Sequence, residues 1–172
     1  MLSLLALSSC KKLPKQEAGV VLPPPREALR IPTGKIADGQ YQDQRYPFQI
    51  AIPPGWSAET GINNQSLRVR MRHADTDTVV EVHAYPGTFS SPRPRDGCVW
   101  TFEDAGPYTA PGLTEPLLVS TCTPSDIAEP RVFGHLLPQE THTWQLELHV
   151  PIDRLSPGIR AGNSVLQTVR LR

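Results

Sequence analysis

The chain has 172 residues, 38% of them hydrophobic and 20% charged, and its 17 basic and 17 acidic side chains cancel to a formal net charge of zero. That length fits one domain with a short appendage, and the neutral balance gives no electrostatic footprint for nucleic acid or an anionic membrane. No stretch beyond the first residues approaches the roughly 18–20 apolar residues that a bilayer-spanning helix needs.

In chain order, Met1-Leu2-Ser3-Leu4-Leu5-Ala6-Leu7-Ser8-Ser9-Cys10 is an apolar run that ends on a cysteine and is followed by Lys11 and Lys12. It resembles the end of a bacterial lipoprotein signal peptide, in which Leu7-Ser8-Ser9-Cys10 matches the lipobox. The resemblance implies a signal peptide over residues 1–9 and a lipid on Cys10, which becomes the mature N-terminus. No Lys or Arg precedes the apolar run as a signal peptide requires, so a translation start upstream of Met1 is expected. Lys11, rather than Asp, after Cys10 implies the outer membrane by the sorting rule of enteric lipoproteins.

Residues 10–40 then read as a tether. The segment contains Pro14, Pro23-Pro24-Pro25 and Pro32 with few large apolar residues, and proline extends a chain at about 3.1 Å per residue. A single globular domain follows over residues 41–172, its first strand expected near Tyr46. With Cys10 assigned to lipid, Cys98 and Cys122 remain as a pair in an oxidising compartment, where a structural disulfide is the default and two free thiols the alternative. The ring they close is worth about 3 kcal/mol by the chain-entropy argument.

Within the domain the hydrophobic period is two. Phe48, Ile50 and Ile52 alternate with polar or small residues and stop at Pro53-Pro54-Gly55, with Trp56 as an expected core anchor. Leu67, Val69 and Met71 alternate with Arg68, Arg70 and Arg72, and after a polar turn Val80, Val82 and Ala84 alternate with Glu81 and His83. A hairpin pairing Val69 with Val82, Met71 with Val80, Arg70 with Glu81 and Arg68 with His83 matches apolar to apolar and opposite charges across the strands. A second hairpin is expected to place Cys98 opposite Cys122, Trp100 opposite Ser120 and Phe102 opposite Leu118, around a long loop from Glu103 to Pro116. Strands follow over 131–137 and 142–150, the latter with Trp144, Leu146, Leu148 and Val150 inward. A short helix is expected between Arg160 and Leu171, after a turn at Ser156-Pro157-Gly158.

The segment Tyr46-Pro47-Phe48-Gln49-Ile50-Ala51-Ile52-Pro53-Pro54-Gly55-Trp56 resembles the opening of PsbP/Mog1/DcrB-like domains, Phe-x-Ile-x-x-Pro-x-Gly-Trp. The close, Asn163 to Leu171, is similar to their terminal helix and short strand, with Thr168-Val169 where a Ser-Phe pair is common. The resemblance implies an α+β fold, an antiparallel sheet backed by one or two helices; the helix such domains carry soon after the tryptophan is not evident in Ser57–Ser66. It also implies a binding or assembly module with no catalytic residues. An all-β sandwich is the alternative.

Chemistry-bearing patterns are sparse. Glu81-x-His83 and Glu147-x-His149 lie on the polar faces of two strands, and would make a His₂-carboxylate metal site only if those strands were neighbours; a solvated polar face is the ordinary reading. His73-Ala74-Asp75-Thr76-Asp77 lacks the glycine and glutamate of a calcium loop and reads as a hairpin turn. Nucleophile-elbow, P-loop, dinucleotide and His-Glu-x-x-His motifs are absent from the sequence, so no enzyme, cofactor or nucleic-acid partner is expected. The loop from Glu103 to Leu113 carries Tyr108 and Leu113 among prolines and is the candidate partner contact. The chain thus reads as a non-enzymatic, lipid-anchored protein of the bacterial cell envelope, held to the membrane by its lipid and acting as a binding or assembly module for an envelope protein. A small-ligand or metal-binding lipoprotein is the alternative.

Overall fold

The computed structural model describes residues 30–63, 65–91, 93, 98–103, 119–124 and 130–171. Its strands are β1 (Gly34–Ala37), β2 (Gln40–Asp43), β3 (Phe48–Ala51), β4 (Trp56–Thr60), β5 (Leu67–His73), β6 (Val79–Pro86), β7 (Cys98–Glu103), β8 (Val119–Pro124), β9 (Arg131–Pro138) and β10 (His142–Val150), followed by helix α1 (Leu155–Leu166) and β11 (Arg170–Leu171). They form two antiparallel sheets, of order β1-β2-β3-β11 and β4-β5-β6-β10-β9-β8-β7. The fold is α+β, as expected, although the strands divide into the two sheets that the all-β alternative required.

One core joins these layers. Tyr41, Phe48 and Ile50 from the small sheet meet Val69, Met71, Val80, Trp144 and Leu148 from the large one, and Val165, Leu166 and Val169 close the space from α1 and its C-terminal side. The Phe48 and Trp144 rings stack with centroids 4.2 Å apart. Thr168 ties the helix to the small sheet: its hydroxyl accepts from the Ala51 N–H at 3.0 Å and donates to the Val165 carbonyl at 2.6 Å.

The ordered fold begins earlier than expected, because β1 lies inside the stretch read as tether, and β2, which starts at its last residue, still precedes the first strand expected near Tyr46. The signal was there. Asp38-Gly39 adopts positive φ at both positions, 52° and 68°, and an Asp-Gly pair at a two-residue turn is a strong hairpin signature. Ala37 pairs with Gln40 across that turn and Tyr41 is fully buried.

The β5–β6 register is the expected one at Val69–Val82, Arg70–Glu81 and Met71–Val80. It breaks at the next pair. Leu67, not Arg68, faces His83, with a bulge between Leu67 and Val69, because Arg68 turns inward to an ion pair with Asp43. In the β7–β8 hairpin Cys98 faces Pro124 and Trp100 faces Cys122, two residues away from the expected register. A two-residue slip leaves every side chain on its own face, so alternation cannot detect it. The side chains of Cys98 and Cys122 are outside the described set, as are Cys10, Tyr108, Leu113 and the Glu103–Pro116 loop beyond its first residue.

The segment after Trp56 is strand β4, in keeping with the lack of a helix signal in residues 57–66 and unlike the helix of the resembled domains. Trp56 is half-buried, packed against the edge of the core and against His73. The helix begins earlier than expected and contains Ser156-Pro157-Gly158 in its first turns. Pro157 is tolerated there because first-turn N–H groups have no intrahelical acceptor.

Candidate functional site

Strand β10 is buried along its whole length. Its Trp144, Leu146, Leu148 and Val150 face the core, but Thr143, Gln145, Glu147 and His149, on the opposite face, are each at most 7% exposed. Buried polar groups must be hydrogen-bonded, and here they are. Thr143 Oγ1 donates to the Gly87 carbonyl at 2.9 Å and accepts from the Phe89 N–H at 3.0 Å. Gln145 Oε1 accepts from the Arg93 backbone N–H at 3.0 Å. The Arg93 guanidinium lies 4.4 Å from the Phe89 ring centroid and 5.0 Å from that of Tyr85, so the chain after β6 folds back over this face.

The adjacency that a metal reading needed is present. β6 and β10 are direct neighbours, with Glu81 opposite Glu147 and His83 opposite Gln145. Two carboxylates directly opposite each other repel, and these are largely buried, so cationic or coordinating groups must lie between them. His149 Nε2 is 3.1 Å from Glu147 Oε2 and 3.5 Å from Glu81 Oε2, and His83 Nε2 is 3.4 Å from the same Glu81 oxygen. The outer oxygens are held from the sides: Gln145 Nε2 donates to Glu147 Oε1 at 2.7 Å, and Arg70 Nε lies 3.4 Å from Glu81 Oε1.

These contacts move the titrations. Hydrogen bonds from His149 and then His83 hold the Glu81 carboxyl far below the usual carboxylate range, against the effect of burial. Burial pushes the Glu147 carboxyl up, but the hydrogen bond from His149 and the neighbouring imidazoles outweigh it and leave it lowered. Burial likewise opposes charge on His149, yet the hydrogen bonds to Glu147 and Glu81 raise it above an ordinary imidazole. Beside the cluster opens a cavity of about 710 Å³, lined by Arg70, Arg72, Val79, Glu81 and His149 from the sheet and by Pro130, Ile152 and Asp153 from flanking segments.

No known protein family and no curated protein matches the sequence. Among solved structures the chain is similar to a crystal structure from Bacteroides thetaiotaomicron VPI-5482, with 11% identity over 73% of this chain and 45% of that one and a TM-score of 0.45. It is also similar to the solution structure of cyanobacterial PsbP (CyanoP) from Synechocystis sp. PCC 6803, with 12% identity over 77% of this chain and 91% of that one and a TM-score of 0.44. This chain therefore spans less than half of the Bacteroides structure. At this level of likeness neither name transfers.

Of the sequence candidates, His83 and His149 are brought together, with the two glutamates beside them. The Arg70–Glu81 pair was expected from the β5–β6 register, whereas Gln145 went unread, because only the β6–β10 pairing brings it and Glu147 beside Glu81 and His83. A second polar cluster was also missed. Arg68 grips Asp43 through Nε at 2.6 Å and one terminal nitrogen at 2.9 Å, and that nitrogen also donates to the Thr33 carbonyl at 3.1 Å. Tyr41 adds its hydroxyl to Asp43 at 2.9 Å. With both side chains at most 4% exposed, this cluster clasps the two sheets together and offers no access to a ligand.

Proposed function

We propose that this chain is a non-enzymatic, lipid-anchored binding protein of the bacterial cell envelope, and that its ligand is a small one taken into the cavity over β5, β6 and β10. The observation that carries the binding half is the convergence of Glu81, Glu147 and His149 beside that cavity, each held by neighbours that fix its orientation. The anchoring half rests on the lipobox ending at Cys10, on the basic, proline-containing segment after it, and on the outer-membrane sorting implied by Lys11. Cys98 and Cys122 are placed in a disulfide by the same compartment. The assembly-module version of this reading depends on Tyr108 and Leu113, which lie outside the described residues.

Two experiments test the halves separately. Palmitate labelling of the wild type is expected to disappear in Cys10→Ala; equal labelling overturns the anchor. A photo-crosslinking residue at Ile152, on the cavity lining, is expected to capture a bound species in the native envelope that one at Ile36, on the other sheet, does not. Equal capture at both positions overturns the cavity as the binding site.

A further inference from the structure

We infer that Glu81, Glu147 and His149 form a binding site for a divalent cation of the zinc class, with the cavity side left open for a fourth ligand. This rests on the cavity being the binding site, but it is tested independently of the anchor. The donor atoms Glu81 Oε2, Glu147 Oε2 and His149 Nε2 all lie within 4.8 Å of one another, and the two contacts to His149 measure 3.1 and 3.5 Å. Zinc bonds of 2.0–2.2 Å to imidazole nitrogen and carboxylate oxygen give a tetrahedron whose edges are about 3.3–3.6 Å, and the two donor separations to His149 already lie close to that.

The surrounding groups strengthen the assignment. Each carboxylate uses its Oε1 for an orienting partner, Arg70 for Glu81 and Gln145 for Glu147, and turns its Oε2 toward His149. Outer partners of this kind fix ligand orientation in metal sites. Two carboxylates and a neutral imidazole carry two negative charges, which match a divalent cation, and imidazole with carboxylate suits first-row metals better than the all-oxygen sets of calcium or magnesium. Because Glu81 and His149 line the cavity, the fourth position opens onto it. That is the three-ligand, open-site arrangement, and it lets a bound metal hold an anionic or neutral-donor ligand from the cavity. His83, which shares Glu81 Oε2, is a positioning residue for that carboxylate.

The test is a titration of the full-length chain in detergent, stripped with chelator, using Zn²⁺ alone and then Co²⁺, whose visible absorption reports four-coordinate geometry. One equivalent of saturable binding is expected, with a rise in Tm and an intense cobalt band. His149→Ala and Glu147→Gln are expected to lose both, and Gln145→Leu to bind about 10–100-fold more weakly. His73→Ala, in the β5–β6 turn, and the double variant Cys98→Ser/Cys122→Ser are expected to bind as the wild type does. Absence of saturable binding by the folded wild type overturns the site, whatever the variants do. Wild-type affinity in a folded His149→Ala, or loss of binding in a folded double cysteine variant, also overturns it. A cation site without any captured species at Ile152 would leave this assignment standing and remove the small-ligand reading instead.

Discussion

Asp43 has almost no contact with solvent, and five donors explain how it stays charged. Arg68 supplies two, Tyr41 one, and the backbone N–H groups of Arg45 and Tyr46 the others. Burial pushes its pKa up, but the Arg68 and backbone hydrogen bonds outweigh that and leave it below the usual carboxylate range. Removing one member of a buried pair strands the other charge, which typically costs about 3–5 kcal/mol. Asp43→Ala is therefore expected to lower the unfolding free energy by about that amount in urea titrations, whereas Arg72→Ala, which removes an exposed ion pair with Asp77, is expected to cost no more than about 1 kcal/mol. His135 is the opposite case. It is 5% exposed on the core face of β9, where burial alone lowers its pKa from 6.5 to about 4. Below pH 6.5 the unfolded chain takes up a proton that the folded chain refuses. The contribution of His135 to stability is thus complete above pH 6.5, declines as pH falls, and is fully lost below about 4, a change of about 3 kcal/mol. His135→Leu is expected to remove that part of the pH profile, as followed by thermal melts between pH 7 and 4.

At the scale of elements, helix and sheet approach closely through two glycines. A Cβ at Gly162 would meet Leu148 Cδ1 at 2.1 Å, and one at Gly158 would meet Val150 Cγ1 at 2.4 Å. Leu148 is only 2% exposed and has nowhere to move. Gly162→Ala gains about 1 kcal/mol in helix propensity but overpacks the interface by about 1–3 kcal/mol. A net lowering of Tm is expected, and a rise would mean that α1 sits further from β10. The β7–β8 hairpin poses a different question. In its present register the cysteines are diagonal neighbours, a Cα separation of about 7–8 Å, beyond the usual span of a disulfide. A linked Cys98–Cys122 peptide in a non-reducing digest of the envelope protein is expected, with the strands shifted by two residues to the in-register pair. Two free thiols would keep the register seen here and remove the disulfide.

Across the whole molecule, the large sheet carries two different faces. One packs against the small sheet and α1, while the other holds the polar strip of β6 and β10 and the cavity beside it. The alternation of Val80, Val82 and Ala84 with Glu81 and His83, and of Leu146 and Leu148 with Glu147 and His149, was legible in the sequence because strand periodicity is a local property. That periodicity was enough to give β3, β5, β6, β9, β10 and most of the β5–β6 register, but not β1, β2 or β4. The α+β class came from the resemblance of the two ends of the domain. Nor was periodicity enough to say that the polar face of β10 would be covered. An alternating strand ordinarily leaves its polar side in water, and only a central position, between β6 and β9 and beneath Gly87, Phe89 and Arg93, buries both sides.

The sequence by itself therefore determined the local features: alternation, the Asp38-Gly39 turn, the apolar decapeptide ending at Cys10, and the residue types able to bind a cation. Tertiary structure alone decided which of them meet. Glu81 and His149 are 68 positions apart, and no local signal specifies that β10 inserts beside β6. Likewise Arg68 leaves its expected partner His83 for Asp43 because a desolvated guanidinium gains more from a buried carboxylate than from a neighbouring imidazole. Pairing between distant strands is set by the free energy of the whole core, and that sum cannot be read from any one segment.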